Sequence, residues 1–182
     1  MTQTRTRTLA LISGSTRAGS TNTAVLRSVP GILGDAIRPL PYLDLASLPH
    51  FNPDDDHEPL PAEVARLRAL IADADALLFC TPEYAGDLPG SFKNLLDWTV
   101  GGSETTDKPS GWINVSTAPT LAAGAHAALR TVLGYTGARV VDAACVHLPV
   151  PRTAVDQATG LVTDAAVRDA LAAVVRTLLA AD

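Results

Sequence analysis

Within residues 9–23, LALISGSTRAGSTNT, an apolar run ends in a loop of small and hydroxylated residues and resumes as a helix, and no other stretch restricts the fold as much. A strand of this kind carries the loop to a sheet edge, small residues let backbone amides point inward, and the first helical turn presents unpaired N–H groups at the positive end of its dipole. Arg17 adds a permanent charge with several donors suited to phosphate oxygens. The segment is therefore a candidate anion cradle. It is neither a P-loop, since no GxxxxGK(S/T) occurs, nor a GxGxxG turn, since only Gly14 and Gly19 are present. The missing Walker lysine argues against triphosphate hydrolysis. Taken alone, the same residues also suit an ordinary strand-to-helix turn in which Ser20 or Asn22 caps the helix.

Beyond this segment, strand and helix periods alternate. Strands are expected over 8–13, 37–43, 76–81, 112–116 and 139–148, and helices over 22–29, 61–72, 91 to about 100, 121–133 and 165–180. Pro30 and Gly31 should end or kink the first helix, and Gly134 and Gly137 should stop the fourth. Pro39 and Pro41 mark the second strand as an edge, whereas 76–81 is apolar throughout, as in parallel strands buried on both faces. The loop over 44–59 is long and acidic. Such alternation predicts a doubly wound, five-stranded parallel α/β sheet with helices on both faces and a ligand at the carboxyl ends of the strands.

A length of 182 residues with 47% hydrophobic residues suits a single domain, with residues 1–7 as an arm before the first strand. Fourteen Lys and Arg against 19 Asp and Glu give a net charge of −5, which offers no general attraction to nucleic acid or anionic lipid, so any anion must be captured locally. LALI is too short for a signal-peptide core and no segment has the length of a membrane span, so a cytoplasmic protein is expected. Cys80 and Cys145 lie in apolar segments without zinc or CxxC spacing and read as inert thiols. The run Asp54, Asp55, Asp56, His57, Glu58 reads as solvated charge, with no metal site, and His50, His126 and His147 lack triad or metal spacing.

Three loops should meet at one rim: 14–22, 82–90 and 117–120. In the second, TPEYAGDLPG, Pro82, Pro89, Gly86 and Gly90 stiffen and turn the backbone, and Tyr84 offers an aromatic face, a wall suited to a planar heterocycle. Packing of Tyr84 and a solvated Glu83 remain equally open on this loop alone. On the helix that follows, Lys93 and Asp97 have i,i+4 spacing for a surface pair, and Trp98 suits a core or a subunit interface.

GSTRAGSTN, residues 14–22, resembles the GSxRxxSxN signature of the NADPH-dependent FMN reductase family, a flavodoxin-like group of quinone, azo-dye and chromate reductases. TPEYAGDLPGSFKNLLDW, residues 81–98, is similar to that family's TPEYNxxxPGxLKNaiDW block, and DQATGLVTDAAVRDAL resembles its C-terminal helix entry. The resemblance implies that Ser15, Arg17, Ser20, Thr21 and Asn22 hold the FMN phosphate. It also implies that Pro82, Glu83, Tyr84 and Ala85 lie against the isoalloxazine, and that Ser116 and Thr117 close its other side. Ala85 stands where the family commonly has Asn, which leaves backbone amides to meet the ring edge.

The implied activity is hydride transfer from NADPH or NADH to FMN and then electron transfer to a small acceptor such as a quinone or free flavin. No side-chain acid or base is needed for the hydride step. The family habit implies a homodimer or homotetramer, with the helix around Phe92, Leu96 and Trp98 as the expected contact surface. Two rivals are a flavodoxin-like electron carrier or flavin sensor without nicotinamide turnover, and a non-redox phosphosugar or nucleotide-processing domain.

Overall fold

The computed structural model describes residues 5–181. The arm expected over residues 1–7 lies outside them for residues 1–4, and Arg7 already belongs to the first strand, paired with Ile37. The elements are β1 (Arg7–Ser13), α1 (Thr21–Leu33), β2 (Ile37–Tyr42), α2 (Ala62–Asp73), β3 (Ala76–Cys80), α3 (Gly90–Asp97), β4 (Pro109–Asn114), α4 (Ala123–Tyr135), β5 (Arg139–His147) and α5 (Ala165–Ala180).

The strands form one parallel sheet in the order β2-β1-β3-β4-β5. This is the flavodoxin-like order, with its switch point between β1 and β3. Alternating side chains feed two cores. Ala10, Ile12, Leu77, Phe79 and Trp112 pack with α2, α3 and α4 on one face. Leu9, Leu11, Ala76, Leu78, Cys80 and Ile113 pack with α1 and α5 on the other. β2 is an edge strand, as its two prolines require: Pro39 pairs with Leu9 and Pro41 with Leu11 while neither donates an N–H.

Several boundaries differ from expectation. Helix α1 continues through Pro30 to Leu33. Pro30 gives up only the bond to its fourth preceding carbonyl, and Ile32 and Leu33 pack beside the α1–α5 core, which carries the helix past it. Gly134 likewise lies inside α4, which ends after Tyr135. β4 occupies 109–114 rather than 112–116, because the Asn114 carboxamide accepts the Ser116 amide at 3.0 Å and donates to the Leu121 carbonyl at 2.5 Å, turning the chain out of the sheet. α3 ends at Asp97, and Lys93 pairs with Asp97 at 2.6 Å as the spacing predicts.

The surface expected to meet a partner is instead inside the chain: Phe92, Leu96 and Trp98 are 0%, 2% and 0% exposed. Trp98 meets Phe51 edge to face at 5.0 Å between ring centres and donates its indole N–H to the Pro49 carbonyl at 2.9 Å. The acidic loop therefore supplies the cover that a partner was expected to supply. Asp56 of that loop pairs at 2.6 Å with the buried Arg68, whose Nε donates to the Trp98 carbonyl.

Candidate functional site

Two cavities open beside the switch point, where loops after β1, β3 and β4 come together. The first, of about 380 Å³, lies against the loop after β1 and the start of α1. Gly14 begins that loop. Its amide donates to the Cys80 carbonyl at 2.9 Å, and Thr81 and Phe92 fill the space a Cβ would need, so only glycine allows the loops after β1 and β3 to lie this close.

Small hydroxyls then shape the turn. Ser13 Oγ accepts the Ser15 amide at 3.3 Å and bonds the Thr23 hydroxyl at 2.8 Å, and Ser15 Oγ accepts the Arg17 amide at 3.3 Å. Ser15 and Ser20 are buried. Ser20 stands at the N-cap of α1 with extended backbone, yet its side chain makes no capping bond. The hydroxyl that would ordinarily cap the helix is left facing the cavity with the first-turn amides, the arrangement of an anion site. Arg17 and Thr21 line the same cavity.

The second cavity, of about 230 Å³, is a slot with Asn22, Thr81, Pro82 and Glu83 on one side and Val115, Ser116, Ala118 and Ala122 on the other. Thr21 lines the first cavity and Asn22 the second, so both share the first turn of α1. Asn22 is fixed by the Cys80 thiol, which donates to its Oδ1 at 3.3 Å. Ser116 is held by its hydroxyl, which accepts the Ala118 amide, and by its carbonyl, which accepts from His147 Nε2 at 2.8 Å.

Glu83 does two things. It lines the slot, and its carboxylate accepts the Ala125 amide of α4 at 3.1 Å and the Thr120 hydroxyl at 3.4 Å. It serves as the cap of α4, whose own N-cap, Ala122, has no polar side chain. Beside it, Gly86 comes so close to Gly124 that a Cβ on Gly124 would strike the Gly86 carbonyl. Ala85 has a positive φ of 53°, as do Leu121 (54°) and Ala122 (50°), so the slot is bordered by backbone that side chains disfavour.

Of the residues expected at the site, Ser15, Arg17, Ser20 and Thr21 line the first cavity and Asn22, Pro82, Glu83 and Ser116 the second. Tyr84, Ala85 and Thr117 stand outside both. Tyr84 is 54% exposed, and its backbone exchanges two hydrogen bonds with Asp87 that close the loop. Sequence reasoning missed Arg27, Arg152, Asp156 and Gln157, which line the first cavity, and Asn114, which braces the turn beside the second. Arg27 was within reach of helical periodicity, seven residues after Ser20 on the same side of α1; Arg152 carried no local signal.

The titratable groups nearby are tied up. Burial pushes the Cys80 thiol up and the Cys145 thiol to about 11, so neither is a nucleophile near neutrality. Burial lowers His126, whose Nδ1–H donates to the Ala122 carbonyl at 2.8 Å. The Thr159 amide and hydroxyl and the Ala158 amide hold the Asp156 carboxyl below its ordinary value. Among the described residues no helix is long and apolar enough to cross a membrane.

Comparison with known proteins agrees with this geometry. The profile of the family described as NADPH-dependent FMN reductase matches residues 7–150. An NAD(P)H-dependent FMN reductase of Pseudomonas aeruginosa is 32% identical over 157 residues, 85% of this chain and 84% of its own. A quinone reductase of Pseudomonas putida is 31% identical over 144 residues, 78% of this chain and 74% of its own. Among solved structures, the flavoenzyme NAD(P)H:(acceptor) oxidoreductase FerB from Paracoccus denitrificans superposes with a TM-score of 0.80 at 28% identity, covering 94% of this chain and 97% of its own. With its 2-1-3-4-5 sheet and its paired cavities at the switch point, this chain belongs to the NADPH-dependent FMN reductase family.

Proposed function

We propose that this chain is an NAD(P)H-dependent, FMN-containing oxidoreductase whose electrons pass to a small acceptor such as a quinone or free flavin. The observation that carries the reading is the pairing of an anion cradle with a narrow slot across one helical turn. The uncapped start of α1, the buried hydroxyls of Ser15 and Ser20, and Arg17 suit a phosphate. The slot, with apolar Pro82, Val115, Ala118 and Ala122 among its lining, suits a flat ring.

In this reading Ser15, Arg17, Ser20, Thr21 and Asn22 hold the phosphate end, and Pro82, Glu83 and Ser116 border the ring, with Tyr84, Ala85 and Thr117 at its outer margin. Bound FMN supplies two-electron chemistry with a nicotinamide and release of those electrons to an acceptor. The protein binds, orients and shields. Its residues bring no acid–base pair to the slot, and none is required of them. Tyr84 and Leu121, 54% and 48% exposed, would be covered by a second copy docking at the slot, in keeping with a homodimer or homotetramer working in the cytoplasm.

The test is visible absorption of protein reconstituted with FMN, desalted, and mixed anaerobically with NADPH or NADH. A retained flavin spectrum that bleaches within catalytic time and recovers on adding a quinone is expected. A retained spectrum that persists would identify an electron carrier or sensor instead. Loss of flavin on desalting, with no turnover of added FMN, would overturn the flavin reading altogether.

A further inference from the structure

The cation count around the first cavity exceeds what the phosphate loop itself provides. Among the described residues, Arg17, Arg27, Arg152 and Arg176 are the cationic side chains that form no hydrogen bond, ion pair or ring contact within the chain, and the first three line this one cavity. All three are exposed to solvent, so water and salt screen their mutual repulsion, but in a protein with a net charge of −5 they concentrate positive potential at one cavity, where an anion would be drawn. Asp156 lines the same cavity but forms no ion pair with any of the three; its Oδ1 accepts from the amides of Ala158 and Thr159 and from the Thr159 hydroxyl, at 2.7 to 3.0 Å, which sets one carboxylate against three guanidiniums.

Arg152 reaches the cavity on a strap formed by residues 151–163. The strap closes on itself through the Val155–Val162 bridge and the Thr163 amide, which donates to the Ala154 carbonyl at 3.0 Å. It is latched to the helix that carries Arg27. The buried Val162 amide donates to Ser28 Oγ at 2.8 Å, and that hydroxyl donates in turn to the Ala24 carbonyl. Ser28 thus fixes the spacing between the α1 wall and the strap wall.

Resting on the flavin reading above, we infer that Arg27 and Arg152 form a second wall of the phosphate site, outside the loop motif, and set its preference for a phosphate monoester dianion. They are specificity-determining residues that select FMN over riboflavin. A phosphate monoester carries nearly two negative charges at neutral pH and three terminal oxygens, enough to engage donors from both walls at once. Riboflavin offers neither.

Fluorescence titration of FMN and of riboflavin tests this in the wild type, Arg152→Gln, Arg27→Gln and Arg152→Lys, with thermal unfolding as a check on folding. The wild type should prefer FMN. Each Gln variant should lose about tenfold or more in FMN affinity, as for loss of a charge-assisted bond, with riboflavin affinity unchanged. Arg152→Lys should recover part of the loss, and added salt should weaken FMN binding less in Arg152→Gln than in the wild type. Tight FMN binding by the wild type with unchanged affinity in both Gln variants, or a loss equal for both flavins, overturns the inference and leaves the flavin reading intact. Failure of the wild type to bind either flavin overturns both.

Discussion

Glu83 illustrates how much a single side chain at the rim depends on a distant partner. Its carboxylate caps the Ala125 amide and also accepts the Thr120 hydroxyl, tying the loop after β3 to the start of α4. A negative charge at a helix N-terminus meets the positive dipole end, and the two oxygens serve two donors. Glu83→Gln keeps the shape but removes the charge and one acceptor. It should lower stability by about 1–2 kcal/mol and weaken FMN binding, measured by denaturant unfolding and flavin titration; an unchanged unfolding midpoint would refute the capping role. That Ser15 and Arg17 border one cavity was legible in the sequence, because the loop that carries them is built from neighbours along the chain. The capping role of Glu83 was not, because its partner lies 42 residues away.

At the level of elements, α2 ends without a basic residue in its own last turn. Lys108, just before β4, reaches across instead and donates its ammonium to the carbonyls of Ile71, Ala72 and Ala74 at 2.8, 3.0 and 2.6 Å. This cap joins α2 to β4 at the end of the sheet opposite the cavities. Lys108→Met keeps the aliphatic stem and removes three charge-assisted bonds, leaving the Ile71 carbonyl only the Ala74 amide, so it should cost about 1–2 kcal/mol in an unfolding measurement while FMN affinity stays as in the wild type. A loss of flavin affinity equal to the loss of stability would show that the two ends are coupled. Element types were readable because periods of 2.0 and 3.6 residues survive in the apolar pattern. Element ends were less so: Pro30 and Gly134 favour termination locally, yet side-chain burial against the sheet and α5 outweighs one lost bond or one flexible residue.

For the molecule as a whole, the buried His126 links stability to pH. Burial lowers its pKa from an ordinary 6.5, with the Ala122 carbonyl and Glu83 opposing that shift and His147 adding to it. The folded protein therefore takes up the proton less readily than the unfolded chain, so the contribution is fully present above pH 6.5 and is lost as pH falls through and below that value. The thermal midpoint of the wild type should drop between about pH 7 and about pH 5, and His126→Gln should flatten that slope. Equal slopes in the two proteins would count against it. By itself the sequence determined the alternating α/β order, the edge position of the second strand and the small-residue turn from β1 into α1, since each rests on contacts between residues near in sequence or on a repeating pattern. Only the tertiary structure decided that the acidic loop rather than a partner covers Trp98, that Glu83 caps α4, and that Arg27 and Arg152 share one cavity. Those facts depend on capping and charge, which act through a few ångströms of space whatever the separation along the chain.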